Sequence, residues 1–249
     1  MGLDNASEPL RLGKESEEAK ALQSLLQARV SSSLIIDGVY GPNTLSVVHE
    51  FQHSEHLPLS PSDGTIDICT WNSLKNTEAY VPIYHDVPFI PQPDPGTCWA
   101  ACTAALRNTT VQEVIASTPP ELISNGRIRN YSNVDDWTPL NNFAKTQGLE
   151  LFPPMSWELT AFRNLIAEGP IMVDMLTYAK RYTAQIGSVG HFVVIVGIRG
   201  DGHPAGKGTV LCIQDPFPPC IGERYSVNFF EWINEMPART YNIFRAQNK

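Results

Sequence analysis

The sequence predicts an all-α unit of about three helices followed by an α+β unit made of a helical half and an antiparallel sheet. Three observations carry that prediction. Through the first 75 residues, apolar residues recur at helical spacing and are broken by Asp-Gly turns. A stretch dense in proline, "NTEAYVPIYHDVPFIPQPDPG", then sets in with Pro82, Pro88, Pro91, Pro93 and Pro95, a composition that excludes helix and favours an extended, stiff connection. Past it, helical patterns come first and strand-like runs after, which is an α+β layout. We place the boundary near residue 80, dividing 1–80 from 81–249.

In the first unit, "EEAKALQSLLQAR" repeats Ala, Leu and Leu at helical spacing, and "TLSVVHEFQHSEHL" does the same with Leu45, Val48 and Phe51. The unit also carries an internal echo. "DGVYGPNT" at 37–44 and "DGTIDICT" at 63–70 place Asp-Gly and then Thr at the same offset. Asp-Gly supplies a turn that tolerates positive φ, and Thr44 and Thr70 are expected as helix N-caps.

In the second unit, Thr97 is expected to cap a helix running to about Asn108. Thr138 is placed at a cap, with Pro139 at the first helical position and Gly148 at the stop. Ser156 is expected to open a further helix that Gly169-Pro170 ends. The runs "IMVDML", "HFVVIVGI", "TVLCIQD" and "YSVNFFEWI" read as strands.

Composition narrows the function. With 42% apolar and 18% charged residues the chain of 249 can bury an ample core. A net charge of −8 argues against nucleic-acid partners, which need a basic surface, and against an anionic membrane surface. The most apolar run, "HFVVIVGI", is too short to span a bilayer, so no membrane insertion is expected. The opening "MGLDNASEPLRLGKESEEAK" has neither the basic nor the apolar region of a signal peptide, and Ala6 breaks the myristoylation pattern. Five cysteines, Cys69, Cys98, Cys102, Cys212 and Cys220, fit poorly with a framework in which every one is paired, although Cys212 and Cys220 could pair outside the cytoplasm.

The chemistry concentrates in "FIPQPDPGTCWAACTAAL", where a proline-broken approach delivers Cys98 to the first turn of a helix. A cysteine attacks as its thiolate, and a helix N-terminus favours that form. A hydrolase also needs a base, a group to orient the base, and donors for the oxyanion. His191, at the start of "HFVVIVGI", is the candidate base. Asp215 ends the next strand, and an antiparallel hairpin would bring it beside His191 as the orienting carboxylate. Gln92, six residues before Cys98, could donate to the oxyanion together with the Cys98 N–H. Cys102 shares a helix face with Cys98 and could be the nucleophile, a zinc ligand beside Cys98, or packing; Cys, Cys and His make an incomplete zinc set, so neither metal nor cofactor is expected. Trp99, Trp137 and Trp157 could line a cleft, though core is their commoner place.

Two resemblances follow from these residues. Leu22-Gln23, Asp37 to Thr44, Phe51-Gln52, Asp63-Gly64 and Thr70-Trp71 together resemble the peptidoglycan-binding module of cell-wall hydrolases, departing where "DGTIDICT" lacks the usual glycine after the turn. That resemblance implies peptidoglycan as partner, with Asp37, Gly38, Tyr40, Gly41, Thr44, Phe51 and Gln52 contacting the polymer. The order Gln92, Cys98-Trp99, Gly190-His191, Asp215 resembles the papain-like cysteine peptidases, the short bacterial effector and bacteriocin-processing types being most similar in size. In that family Gln builds the oxyanion hole, Cys attacks, His is acid and base, and Asn or Asp orients it. The stretch between His191 and Asp215 departs by the extra loop "RGDGHPAGKG". Together the resemblances imply a bacterial hydrolase of a peptidoglycan amide bond, exported by a specialised secretion machine to the periplasm or wall as an antibacterial toxin and held in check by an immunity protein. The alternatives are a protein-cleaving peptidase, a cytoplasmic location, and a wall-binding protein whose peptidase domain is inactive.

Overall fold

The computed structural model describes residues 10–128, 137–152, 158–178, 188–234 and 241–247. Its N-terminal region holds α1 (Glu17–Arg29), α2 (Pro42–Ser54) and α3 (Ile68–Lys75). Ser16 caps α1 by accepting the Ala19 N–H at 3.1 Å. Leu22 and Leu26 of α1, Val48 and Phe51 of α2, and Leu74 of α3 share one core.

The expected caps are corrected. Thr44 and Thr70 each sit at the third helical position, because α2 starts at Pro42 after Gly41 and Asp67 caps α3 by accepting the Thr70 N–H at 2.6 Å. Both threonines turn inward instead. Gln23 Nε2 donates to Thr44 Oγ1 at 3.2 Å while its Oε1 accepts the Gly38 N–H at 2.8 Å. Gln52 repeats the arrangement, donating to Thr70 Oγ1 at 2.9 Å and accepting the Ser60 N–H at 2.9 Å. Asp37 and Asp63 each close their turn by accepting the N–H two residues on, and the Tyr40 hydroxyl bridges the turns through the Gly64 carbonyl at 2.8 Å. The echo in the sequence is therefore a Gln-Thr clasp used twice.

Most of the positions expected to contact the polymer are interior. Tyr40, Thr44, Phe51 and Gln52 are buried and Gly38 is buried beside Lys20, whereas Asp37 is exposed and accepts from Gln23 and Val39 through Oδ1. Gly41 is half-buried as the N-cap residue of α2. A buried polar group that already has its partners has nothing left to offer a ligand.

The second region runs β1 (Ile83–Tyr84), α4 (Cys98–Arg107), α5 (Val111–Ser117), β2 (Ile123–Ser124), β3 (Arg127–Ile128), α6 (Thr138–Gln147), β4 (Leu149–Phe152), α7 (Leu159–Ala167), β5 (Ile171–Tyr178), β6 (Ser188–Gly200), β7 (Thr209–Asp215), β8 (Glu223–Asn228), α8 (Phe229–Asn234) and β9 (Tyr241–Ala246). The main sheet has the order β4-β9-β5-β6-β7-β8 with β1 also on β6, and every pairing is antiparallel. One core lies between the sheet and α4, with Phe192, Val194 and Val196 of β6 facing in; the other holds Val193 and Ile195 with α7 and α8. The alternation of β6 thus serves two cores at once. The register shifts between Ile195 and Gly197, where a Cβ would stand 2.8 Å from the Ile83 carbonyl, so the close approach of β1 requires glycine.

Several boundaries differ from expectation. Thr138 is the first residue of α6 rather than its cap. The "YSVNFFEWI" run breaks at Asn228, whose Oδ1 accepts the Phe230 N–H at 2.9 Å and turns the second half into α8. Ser156 and Trp157 lie outside the described residues, and α7 begins at Leu159. Helix α5, not anticipated, opens with a capping box of Thr110 and Glu113.

The helical region docks on β6, β7 and β8 of the sheet. Val210 of β7 lies in the core of the helical region, and Arg199 of β6, 7% exposed, reaches across. Its Nε and Nη2 grip Glu78 at 2.6 and 2.8 Å, Nη2 also donates to Ser73 at 2.8 Å, and Nη1 donates to the Glu55 carboxylate at 3.0 Å. Replacing such an arginine strands the carboxylates it neutralises. We expect Arg199→Met to cost about 3 kcal/mol and to lower the thermal midpoint by about 6–12 °C for a chain of this size. A calorimetric shift under about 2 °C would mean that the clamp contributes little.

Candidate active site

Cys98 is the first residue of α4 and is 7% exposed, with its helix packed between the sheet and α5. Thr97 stands at the N-cap position, but its hydroxyl does not cap: it donates to the Asp94 carbonyl at 2.7 Å and accepts the Asp94 N–H at 3.2 Å. The expected side-chain cap is corrected, because the turn over "DPGT" claims the hydroxyl first. Among the described residues the Cys98 N–H has no acceptor, so a helix N-terminal donor stays open beside the thiol.

His191 arrives from β6, and Asp215 from the end of β7. His191 Nε2 lies 2.7 Å from Asp215 Oδ1, and both side chains are buried. The register explains the meeting. Val194 pairs with Gln214, so one further step sets Asp215 beside Val193, diagonal to His191. The same Oδ1 accepts the Phe217 N–H at 2.9 Å, which fixes the carboxylate as the chain leaves the strand.

Burial works against charging the His191 imidazole, yet the hydrogen bonds to Asp215 and to Cys98, with the charges of both, lift its pKa from 6.5 to about 9. At neutral pH it is an imidazolium set between a carboxylate and a sulfur. With Nε2 on Asp215, Nδ1 is the nitrogen left for Cys98.

Cys102 lies one turn below and is wholly buried. Burial first, and the nearby Cys98 and Asp215 charges next, push its thiol well above the ordinary value. It keeps its proton and packs under the helix, and the possibility that it is the attacking thiol loses its physical basis. Cys212 and Cys220 are both free thiols, the first buried on β7 and the second exposed. Trp99 is core, donating Nε1–H to the Gly126 carbonyl at 3.0 Å and meeting Phe143 edge-on; Trp137 packs against the same core. Among the described residues, no three His, Cys, Asp or Glu side chains gather as a metal site.

Gln92 is 2% exposed and tied at both ends of its backbone, its N–H to the Pro216 carbonyl at 3.0 Å and its carbonyl to the Cys220 N–H at 2.8 Å. Its Nε2 donates to the Asp94 carbonyl at 2.8 Å, the same oxygen that receives the Thr97 hydroxyl. One Nε2 hydrogen is thereby spent and the other remains. Its buried Oε1 has no partner among the described residues. Sequence reasoning missed Asp94 and Thr97 as the brace between Gln92 and Cys98. The signal was present in Asp-Pro-Gly-Thr, a turn sequence whose first residue offers its backbone to the last.

Gln92, Cys98, His191 and Asp215 are therefore contributed by four segments: the proline-rich connection, α4, β6 and β7. Such a set can form a covalent acyl intermediate on sulfur, with an acid and base at Nδ1 and open N–H donors for an oxyanion. We expect the His191 midpoint, followed by NMR, to fall by about 1–3 units in Asp215→Asn. Because the folded-state value exceeds the ordinary one, the protonated ring stabilises the fold below about 6.5 and that contribution disappears as pH rises through about 9. Thermal stability should accordingly drop between neutral pH and pH about 10; an unchanged midpoint in the variant would mean that Asp215 does not hold the imidazolium.

Comparison with known proteins finds two family models on the chain. One, described as the papain-like cysteine protease AvrRpt2, matches residues 81–235, and one described as a peptidoglycan binding domain matches residues 15–74. Among solved structures, a C39-like peptidase from Bacillus anthracis is similar over 68% of this chain and 100% of that one, at 14% identity and a TM-score of 0.41. No curated protein matches.

Proposed function

The chain belongs to the papain-like cysteine protease family typified by AvrRpt2 and carries a peptidoglycan binding domain ahead of the protease region, and from that premise we propose that it hydrolyses an amide bond of bacterial peptidoglycan. The observation that supports this reading is the docking of the helical region, through Arg199, Glu55, Glu78 and Val210, on β6 and β7, the strands that carry His191 and Asp215. Tethering to an insoluble polymer raises the local concentration of scissile bonds, so the cleft itself need not bind tightly. We divide the roles at residue 80, with 1–80 as anchor and 81–249 as hydrolase.

In the proposed mechanism the Cys98 thiolate attacks the carbonyl carbon of the substrate amide. The oxyanion takes a hydrogen bond from the Cys98 N–H and one from the second Nε2 hydrogen of Gln92, each such donor being worth about 10²–10³ in rate. His191 gives its Nδ1 proton to the departing amine, leaving a thioester on Cys98. The neutral imidazole then takes a proton from water, the hydroxide attacks the thioester, and the thiolate-imidazolium pair returns. Asp215 holds Nε2 throughout and stabilises the imidazolium without accepting its proton.

On this reading the enzyme works in the periplasm or wall after export by a specialised secretion system, as an antibacterial effector with a cognate immunity protein. The family description, a protease, favours one other reading, a protein substrate. Purified sacculi separate the two. We expect wild type to release soluble fragments whose masses identify the amide cut, Cys98→Ala to release none while still sedimenting with the sacculi, and Cys102→Ala to remain active. His191→Ala should lose more rate than Asp215→Ala, since packing preserves part of the ring's orientation. Intact sacculi, with cleavage of a protein panel instead, would replace the wall by a protein substrate.

A further inference from the structure

The two oxyanion donors of the proposed mechanism come from separate elements. Gln92 is fixed at its backbone by the turn after β7, its N–H bonded to the Pro216 carbonyl at 3.0 Å and its carbonyl to the Cys220 N–H at 2.8 Å. That anchorage leaves the amide free to turn about the side chain's own torsions. The Cys98 N–H belongs to α4. Two donors serve one oxygen only while their separation is held, so the Gln92 amide has to be referred to the helix.

Thr97 spans that gap. Its carbonyl accepts the Ala100 and Ala101 N–H groups at 3.0 and 3.1 Å, which makes it part of the first turn of α4. Its hydroxyl donates to the Asp94 carbonyl at 2.7 Å, and its N–H reaches the same oxygen at 3.2 Å. The third group on that oxygen is Gln92 Nε2, at 2.8 Å. Turning the Gln92 amide over would set oxygen against oxygen at Asp94, so the amino end faces the carbonyl and keeps one hydrogen to spare.

The turn is shaped for this contact. Gly96 takes φ +99, and a Cβ there would stand 3.0 Å from the Arg127 side chain. Thr97 is buried, so its hydroxyl has to be paired within the protein, and the pairing it makes is with both backbone groups of Asp94. It accepts from no N–H of α4, so capping the helix is not its task.

We propose that Thr97 is a positioning residue of the reaction: through the Asp94 carbonyl its hydroxyl holds the Gln92 amide in register with the Cys98 N–H, so that both meet the oxyanion. The proposal rests on the thiol-hydrolase reading of the site and adds what holds its side-chain donor. It separates two reactions of one thiolate. Attack on a carbonyl builds an oxyanion and needs the brace, whereas alkylation by iodoacetamide expels iodide, builds no oxyanion and does not need it.

The test treats the full chain in parallel with p-nitrophenyl acetate, whose acetyl group passes to the Cys98 sulfur as p-nitrophenolate leaves, and with iodoacetamide. Both products are read at Cys98 by peptide mass mapping, so that the exposed Cys220 does not count. Thr97→Val keeps the shape and removes the hydroxyl; we expect it to slow acetylation by up to about 10²-fold, the loss a misplaced group brings, and to leave alkylation as it was. Thr97→Ser, which retains the hydroxyl, should recover the rate. Gln92→Ala should cost about 10²–10³ in acetylation, and adding Thr97→Val to it should cost nothing more, because the brace acts through Gln92 alone. Should Thr97→Val open the buried Cys102 to alkylation, a sign of lost packing, Thr97→Ala takes its place in the comparison. Acetylation untouched by loss of the hydroxyl, alkylation falling in step with it, or losses that multiply in the double variant overturn the proposal. Wild type alkylated at Cys98 but never acetylated sinks the thiol-hydrolase reading and the brace with it; the expected pattern with sacculi left whole supports the brace and removes only the wall as substrate.

Discussion

The candidate site depends on one turn, where β7 ends at Asp215 and the chain leaves the sheet. There a single carboxylate oxygen accepts both the His191 imidazole and the Phe217 N–H. The next carbonyl, of Pro216, accepts the Gln92 N–H, and Gln92 in turn accepts from Cys220. Asp215 and Gln92 are thus both set by one short stretch of backbone. A shift of that turn would move both together, whereas a shift of either alone is resisted by hydrogen bonds that have already been made.

Burial decides what each ionisable group can do there. It opposes charge on His191, and the ring is charged at neutral pH only because Asp215 and Cys98 outweigh that opposition. Four residues further along α4 the same low dielectric has no counter-charge to meet, and Cys102 is held as a thiol. Cys98 and Cys102 share one helix, but Cys98 stands at its first position beside His191 whereas Cys102 is enclosed one turn on. The Thr97 hydroxyl, drawn into the Asp94 turn, completes the arrangement by leaving the helix end uncapped.

The helical region makes a second use of buried polar groups. Its two Gln-Thr clasps each donate to a threonine hydroxyl and accept a backbone N–H, and Arg199 then joins the region to the sheet through two carboxylates and a hydroxyl. Because interior polar groups are tolerated only when paired, the buried Oε1 of Gln214, without a partner among the described residues, stands out against the clasps.

The sequence alone determined the division into a helical and an α+β region, the span of α1, and the identity of the thiol, imidazole and carboxylate that meet. Each of these is written locally, in a 3.6-residue period, a proline-dense connection, or a residue type at the end of a predicted element. The sequence did not reveal that the wall-module motif is mostly interior, since period and spacing say that Tyr40, Thr44, Phe51 and Gln52 matter without saying whether they face inward. Nor did it separate Asn228 as a cap from Asn228 as a strand residue, because both roles suit the local pattern. Only the tertiary structure decided the register that sets Asp215 diagonal to His191 and the Arg199 clamp between the two regions. Those are contacts between residues as many as 144 positions apart, such as Arg199 and Glu55, and no local preference of the chain encodes them.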